Sequence, residues 1–178
     1  MNLSEQKKHI VFTLTPIFIS CIEEVKYQHS DIYAIAIHCG SGFSSLGFAA
    51  STLQHLNEQK LKHPKEYWSI LEYSVSEWEF VNYQYDKFID LNQYIDELLE
   101  EFYEEDLTDD EINSFFSDVC LEVLNKTQVT LSSNDVLLSL QFSDPSDSGI
   151  AIMKTIYEAL HITPKADKFL PFLSSLAS

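Results

Sequence analysis

The residues best suited to chemistry form one acidic stretch, which runs from Asp96 to Glu111. It contains ten acids and neither lysine nor arginine. A surface of one sign steers partners of the opposite sign, so this stretch favours a basic partner. Phe102 or Tyr103 is expected to be its aromatic anchor. The predicted partner-binding residues are Glu97, Glu100, Glu101, Glu104, Glu105, Asp106, Asp109 and Asp110.

Two other interpretations of the acidic stretch stay open. The carboxylates could be only the solvated face of an acidic protein. They could also bind calcium, for which Glu104, Glu105, Asp106, Asp109 and Asp110 would supply oxygen atoms. The spaced Asp or Asn ligands and the glycine of an EF-hand loop are missing, however. We therefore expect no bound metal and no cofactor.

A second candidate site is the pair His38–Cys39, which ends a predicted strand just before the turn Gly40–Gly42. A nucleophilic Cys39 with a nearby base would make the protein an enzyme or a small-ligand-binding domain. Cysteines in strands are more often simply buried. The turn itself lacks the lysine of a phosphate-binding loop. We expect a binding protein rather than an enzyme.

Other catalytic patterns are weak. Asp144 and Asp147 flank Pro145 and could pair with Glu77 or Glu79, as the two carboxylates of a glycosidase do. The six histidines are scattered, without the spacing of metal ligands on one helix and without an HExxH motif.

The charge is segregated along the chain. The 178 residues include 28 acids against 11 lysines, with no arginine, for a formal net charge of -17. The 38 residues between Lys87 and Lys126 carry -13 of that charge. Phosphate contacts need clustered Lys or Arg, so the composition argues against nucleic acid as a partner. An anionic membrane surface would repel the protein as well.

Cysteine usage favours the cytoplasm. Cys21, Cys39 and Cys120 are odd in number and widely spaced, as reduced thiols are. The alternative is an exported lipoprotein, in which residues 1–21 act as a signal. Pro16 interrupts the apolar run of that segment, and charged residues follow it directly. No segment is long and apolar enough for a transmembrane helix.

Hydrophobic periodicity predicts the elements that position these residues. Strands are expected at 31–39, 45–50, 67–73 and 134–142, the first of them central in the sheet. The segment 74–85 is expected to be irregular or partly extended. Helices are expected at 148–160 and from Thr163-Pro164 onwards. An apolar stripe from Phe88 to Phe102 predicts a helix whose acids face outwards. Thr108 and Glu111 form a capping box that begins the next helix.

The expected architecture is a single α+β domain, a mainly antiparallel sheet of about four or more strands with helices packed on it. Its parts are an N-terminal helix at 4–28, a sheet-forming region at 31–85, an acidic helical pair at 86–126, and a C-terminal strand with helices at 134–176.

Several short motifs follow one another along the chain. They are the strand 31–37, Ala50-Ser51-Thr52, Ser76-Glu77-Trp78, Leu91-Asn92 and Phe142-Ser143-Asp144. Their order resembles that of an uncharacterised bacterial family, domain of unknown function 4303, in which the first is similar to a "YAFAL" strand and the last to an "SD" turn. The family tends to have Asn where this chain has Ser51. The resemblance covers nearly the whole chain from Asp31 onwards.

The resemblance implies an α+β fold and a bacterial accessory protein of the kind sometimes encoded among toxin and immunity genes. It assigns no catalytic residues. Immunity proteins against nucleases are often acidic, because their targets have basic clefts. The resemblance and the charge together predict an immunity or other binding protein for a basic toxin, although fold alone does not fix function.

Overall fold

The structure is a computed structural model that describes residues 2–131, 136–160 and 166–176, with side chains left out for 166 and 167. Seven helices and four strands lie in these ranges. In chain order they are α1 (Leu3–Gln28), β1 (Ile32–Cys39), β2 (Leu46–Thr52), α2 (Leu53–Lys62), α3 (Trp68–Tyr73), β3 (Phe80–Val81), α4 (Ile89–Glu104), α5 (Asp109–Gln128), β4 (Leu137–Phe142), α6 (Asp147–Ala159) and α7 (Ala166–Leu176).

The four strands form one sheet in the order β3-β2-β1-β4. β1 pairs with β2 in an antiparallel hairpin, and β2 pairs with β3 in the same sense. β4 lies parallel to β1, with Ile37 opposite Leu140. The α+β prediction is confirmed, and β1 is an inner strand as expected. The parallel pair was not predicted, because it depends on the crossover through α4 and α5 rather than on any local turn.

Helices α1 and α5 pack together and cover one face of the sheet. Phe48 of β2 packs edge-to-face on Phe18 of α1, with ring centroids 5.2 Å apart. Phe43, in the turn after β1, stacks on Phe116 of α5. These contacts place the acidic helical pair on the same side of the sheet as α1.

The opposite face is covered by the segment between α2 and β3. Gln141 alternates with Phe142 along β4, so it points away from α5 and accepts a hydrogen bond from the Val75 N–H at 3.0 Å. The Tyr33 hydroxyl donates to the carbonyl of Glu72 at 3.1 Å. This segment is therefore fastened to the sheet by hydrogen bonds from side chains of both β1 and β4.

The predicted strand at 67–73 is wrong, because that segment contains α3 after a 3-10 turn at Lys65–Tyr67. Seven residues are too few to separate a period of 2 from a period of 3.6. Leu71 and Tyr73 are buried in the helix. The third strand is Phe80–Val81, within the segment we expected to be irregular or partly extended.

The predicted helix at 4–28 corresponds to α1, which continues through Pro16. Its buried side chains are Ile10, Val11, Leu14, Phe18, Cys21, Ile22 and Val25. In the described ranges, no helix combines the length and the apolar character needed to cross a membrane.

Two predicted boundaries lie outside the described residues. The strand expected from Asn134 is described from Leu137, and the last helix, expected to begin at Thr163-Pro164, is described from Ala166. Between them, α6 runs from Asp147 to Ala159, close to the predicted 148–160.

Candidate functional site

The acidic residues are held outwards by the buried stripe of α4. Leu91, Ile95, Leu98 and Phe102 are each at most 2% exposed, so the remaining sides of the helix face solvent. We call the predicted partner-binding set the acidic ridge, and the structure exposes all of its members. They are Glu97, Glu100, Glu101, Glu104, Glu105, Asp106, Asp109 and Asp110.

The turn between α4 and α5 fixes the middle of the acidic ridge. The Leu107 N–H donates to the carbonyl of Phe102 at 3.0 Å, and the Asp106 N–H donates to that of Tyr103 at 3.2 Å. These two bonds define a Schellman motif, whose left-handed position is usually glycine. Here Asp106 occupies it, with φ of 58°. The carboxylates of the turn are thus carried on a defined backbone.

The start of α5 is fixed by the predicted capping box, which is confirmed. The Glu111 N–H donates to the Thr108 hydroxyl at 3.3 Å, and the Thr108 N–H donates to the Glu111 carboxylate at 2.9 Å. The backbone and hydroxyl donors of Thr108 hold the pKa of Glu111 below its usual value. Asp109 and Asp110 lie in the same first turn, where negative charge complements the helix dipole.

The carboxylates of the acidic ridge lack ion-pair partners among the described lysines. Lys7 and Lys126 pair with Asp118 or Glu122, beyond the ridge on α5. The other described ion pairs, Lys60–Glu72 and Lys87–Glu24, lie elsewhere in the chain. The negative charge of the ridge is therefore not neutralised within the described part of the protein.

The acidic ridge ends in a cleft of about 410 Å³ beside the turn after β4. Its walls include Asp109 and Asp110 from α5, Asp144 and Ser146 from the β4–α6 loop, and Tyr103 from α4. We call it the acidic cleft. Asp144, which sequence reasoning considered for catalysis, thus lies beside the ridge. Neither Glu77 nor Glu79 lines the cleft.

The two proposed aromatic anchors differ in their exposure to solvent. Phe102 is fully buried and contacts Phe115 and Phe116, so it cannot anchor a partner. Tyr103 is 57% exposed and lines the acidic cleft. Among the described residues, no three His, Cys, Asp or Glu side chains come together as metal ligands, and this includes the carboxylates considered for calcium.

His38 and Cys39 do not form one site, because consecutive strand residues point to opposite faces. Cys39 is fully buried next to Cys120 of α5. Burial, together with that neighbouring thiol, raises the pKa of Cys39 well above its usual value. The thiolate needed for nucleophilic attack is therefore disfavoured, and the hypothesis of a Cys39 nucleophile is not supported.

His38 instead joins two residues that sequence reasoning did not assign to a site. Its Nε2 atom lies 2.9 Å from the Ser143 hydroxyl, and its Nδ1 atom lies 2.9 Å from Asn82 Oδ1. These partners are 105 and 44 residues away in the chain. Ser143 was noted only as part of a family-like turn, and no local pattern links it to His38.

A family profile matches the chain, but the match assigns no activity. Among curated proteins and among solved structures, none shows significant similarity to the chain. The profile of the family described as "Domain of unknown function (DUF4303)" matches residues 14–155. That range contains the whole sheet, the acidic ridge, the acidic cleft and the hydrogen-bonded cluster around His38. The chain belongs to the DUF4303 family.

Proposed function

We propose that the protein is a binding protein that uses the acidic ridge to hold a basic protein partner. The observation that carries this proposal is the exposure of eight carboxylates on a fixed helix–turn–helix, without a lysine partner among the described residues. A surface whose negative charge is not neutralised raises association rates with positively charged partners and favours them over others.

The acidic cleft gives this surface a place for an inserted side chain. The N-termini of α5 and α6 each contribute about half a positive charge, which the carboxylates of Asp109, Asp110 and Asp144 exceed. A lysine or arginine from the partner would lie between these carboxylates, with its alkyl chain against Tyr103. Half-exposed tyrosines are frequent anchors in protein interfaces.

The partner that fits best is a protein with a basic substrate cleft, such as a nuclease toxin, for which this protein would act as the immunity protein. Occupying such a cleft with carboxylates excludes the anionic substrate, so binding alone is enough for inhibition. Each exposed ion pair between the ridge and the partner contributes little binding free energy, so many carboxylates of the ridge must take part.

The test compares two variants of equal charge. One changes Glu100, Glu101, Glu104 and Glu105 to Gln. The control removes four exposed acids that lie away from the ridge, Glu23, Glu66, Asp86 and Glu158, by change to Gln or Asn. Wild type and both variants are used to capture proteins from the source cell at low and at high salt.

We expect basic proteins that bind the wild type and the control but are lost by the ridge variant. Their association rates should fall at least tenfold between low and physiological salt, because the encounter is electrostatic. Capture that is equal for the ridge variant and the control would reject the acidic ridge as the binding surface. The change Asp144→Asn then tests the acidic cleft alone.

A further inference from the structure

A chain of three polar side chains crosses the end of the sheet, outside the acidic cleft. The Ser143 Oγ atom lies 2.9 Å from His38 Nε2, and the His38 Nδ1 atom lies 2.9 Å from Asn82 Oδ1. Ser143 is exposed, whereas His38 is only 8% exposed. The order is that of a nucleophile, a base and a group that orients the base.

The donors and acceptors determine which histidine nitrogen carries the proton. An amide oxygen only accepts hydrogen bonds, so Nδ1 must donate its proton to Asn82. Nε2 then has a free lone pair, and the Ser143 hydroxyl lies 2.9 Å from it. The same hydroxyl also lies 3.2 Å from the carbonyl oxygen of Cys39, so its proton is shared between these two acceptors. Burial lowers the pKa of His38, which keeps the imidazole neutral near pH 7. His38 is therefore in the protonation state of a general base.

The backbone around the cluster keeps its members in place. The Ser143 N–H donates to the carbonyl of Cys39 at 3.0 Å, which ties the end of β4 to the end of β1. Asn82 has a φ of 53°, in the left-handed region that asparagine adopts more readily than most other non-glycine residues. Its amide oxygen lies so close to Gly47 that a Cβ atom there would be 3.0 Å away, so the glycine leaves room for the Asn82 side chain.

We propose that Ser143, His38 and Asn82 form a nucleophilic site that hydrolyses carboxylic esters or thioesters. The Ser143 oxygen attacks the acyl carbon while His38 Nε2 takes the hydroxyl proton. The bond to the leaving alcohol or thiol breaks, and His38 gives that group the proton. Water then adds to the acyl-serine and loses a proton to His38. The bond between the acyl carbon and the Ser143 oxygen breaks, His38 returns the proton to that oxygen, and the carboxylic acid is released.

The position of the cluster and the charge of the protein restrict the substrate. Ser143 lies in an exposed turn, so a bulky acyl group can reach it. The formal net charge of -17 repels anionic substrates, which favours neutral or cationic esters. This activity would be additional to the proposed binding function, since the cluster shares no residue with the acidic ridge.

A fluorophosphonate probe tests the nucleophile without knowledge of the natural substrate. Attack by Ser143 forms an oxygen–phosphorus bond, releases fluoride and leaves the serine proton on His38. We expect one added phosphonyl group per protein by intact mass, mapped by peptide sequencing to Ser143. The change Ser143→Ala should abolish labelling. Ser114→Ala, at another exposed serine, should not affect it. No labelling of Ser143, or equal labelling in both variants, would overturn the proposal.

Three further variants test the base and its orientation. His38→Gln should slow labelling at least 100-fold, in line with the loss of a general base. Asn82→Ala should slow it about tenfold, a smaller loss because Asn82 is a positioning residue. Asn82→Asp should keep the rate but move the pH midpoint of labelling upwards, because a carboxylate stabilises protonated His38. An unchanged midpoint, in a variant with native circular dichroism, would reject that role.

Hydrolysis of 4-nitrophenyl acetate by the protein provides the turnover assay. We expect release of nitrophenol by the wild type and by Ser114→Ala, and a loss of at least 100-fold in Ser143→Ala. Rates in that variant equal to those of the wild type would show that the esterase activity does not come from Ser143, and would overturn the proposal. The ridge variant of the previous section should hydrolyse the ester normally, which separates the two functions.

Discussion

The side chain of Asn92 makes hydrogen bonds with both backbone groups of Leu46. The Leu46 N–H donates to Asn92 Oδ1 at 2.8 Å, and Asn92 Nδ2 donates to the carbonyl of Leu46 at 2.9 Å. Asn92 is 5% exposed and Leu46 is 1% exposed. The pair fastens α4 to the first residue of β2, so the acidic ridge is joined to the sheet by a buried polar contact.

Changing Asn92 to Ala should destabilise the protein by about 2–4 kcal/mol, because two buried backbone groups lose their partners. Urea unfolding measures this difference. The neighbouring change Gln93→Ala, at an exposed position, should cost less than about 0.5 kcal/mol. Equal effects of the two changes would show that the hydrogen bonds between Asn92 and Leu46 contribute nothing specific to stability.

Position 106, the left-handed residue of the turn after α4, should prefer glycine to alanine. The variant Asp106→Gly should be more stable than Asp106→Ala by about 1 kcal/mol, because only glycine adopts a φ near 58° without steric cost. Both variants lose the same charge, so their difference reports the backbone alone. Thermal unfolding at a single ionic strength is sufficient, and an alanine variant of equal stability would contradict the Schellman assignment.

The acidic ridge should lower the stability of the protein. Glu100, Glu101, Glu104 and Glu105 lie near the C-terminal end of α4, where negative charge opposes the helix dipole, and no base lies in the last turn. Changing these four residues to Gln should raise the Tm by about 2–4 °C.

The gain in Tm should shrink in 0.5 M salt, since screening already weakens the repulsion in the wild type. A ridge variant with a lower Tm would instead indicate that these carboxylates support the fold. A loss of partner binding by that variant would then no longer show that the acidic ridge contacts the partner, because the fold itself would be weakened.

His38 should make stability depend on pH above the range in which the carboxylates titrate. Burial lowers its pKa in the folded protein, so the unfolded chain binds the proton more readily. The stability contributed by neutral His38 is fully present above the unfolded pKa of about 6.5 and is lost as the pH falls below it. Urea midpoints of the wild type should decline from pH 7 to pH 5 more steeply than those of His38→Gln. Parallel profiles would disprove this linkage.

The three cysteines should react slowly with thiol reagents in the folded protein. Cys21, Cys39 and Cys120 are each 0% exposed, and burial raises the pKa of Cys21 to about 11. At pH 8, Ellman's reagent should titrate three thiols quickly in guanidinium and far fewer than one in the native state over the same time. A rapidly reacting thiol in the native protein would show that one of these sites opens to solvent.

Short-range features were predictable from the sequence because their physical causes lie within one or two helical turns. The capping box of Thr108 and Glu111 is such a feature, and the structure begins α5 at the next residue, Asp109. The outward direction of the acidic ridge followed from the apolar spacing of α4. The segment 67–73 was mispredicted because its aromatic residues and Ile70 suit a strand. In the structure it contains a helix, in which the Leu71 carbonyl and the Glu72 carboxylate accept hydrogen bonds from Tyr33 and Lys60.

The sequence by itself determined the charge, the acidic ridge and the α+β class, since composition and hydrophobic period act locally. Only the tertiary structure decided that β4 lies parallel to β1, and that His38 faces away from Cys39 and meets Ser143. The contact with Ser143 joins residues 105 positions apart. Strand pairing and the packing of two helices on the sheet bring these two residues together, and no local sequence pattern near either residue predicts the contact.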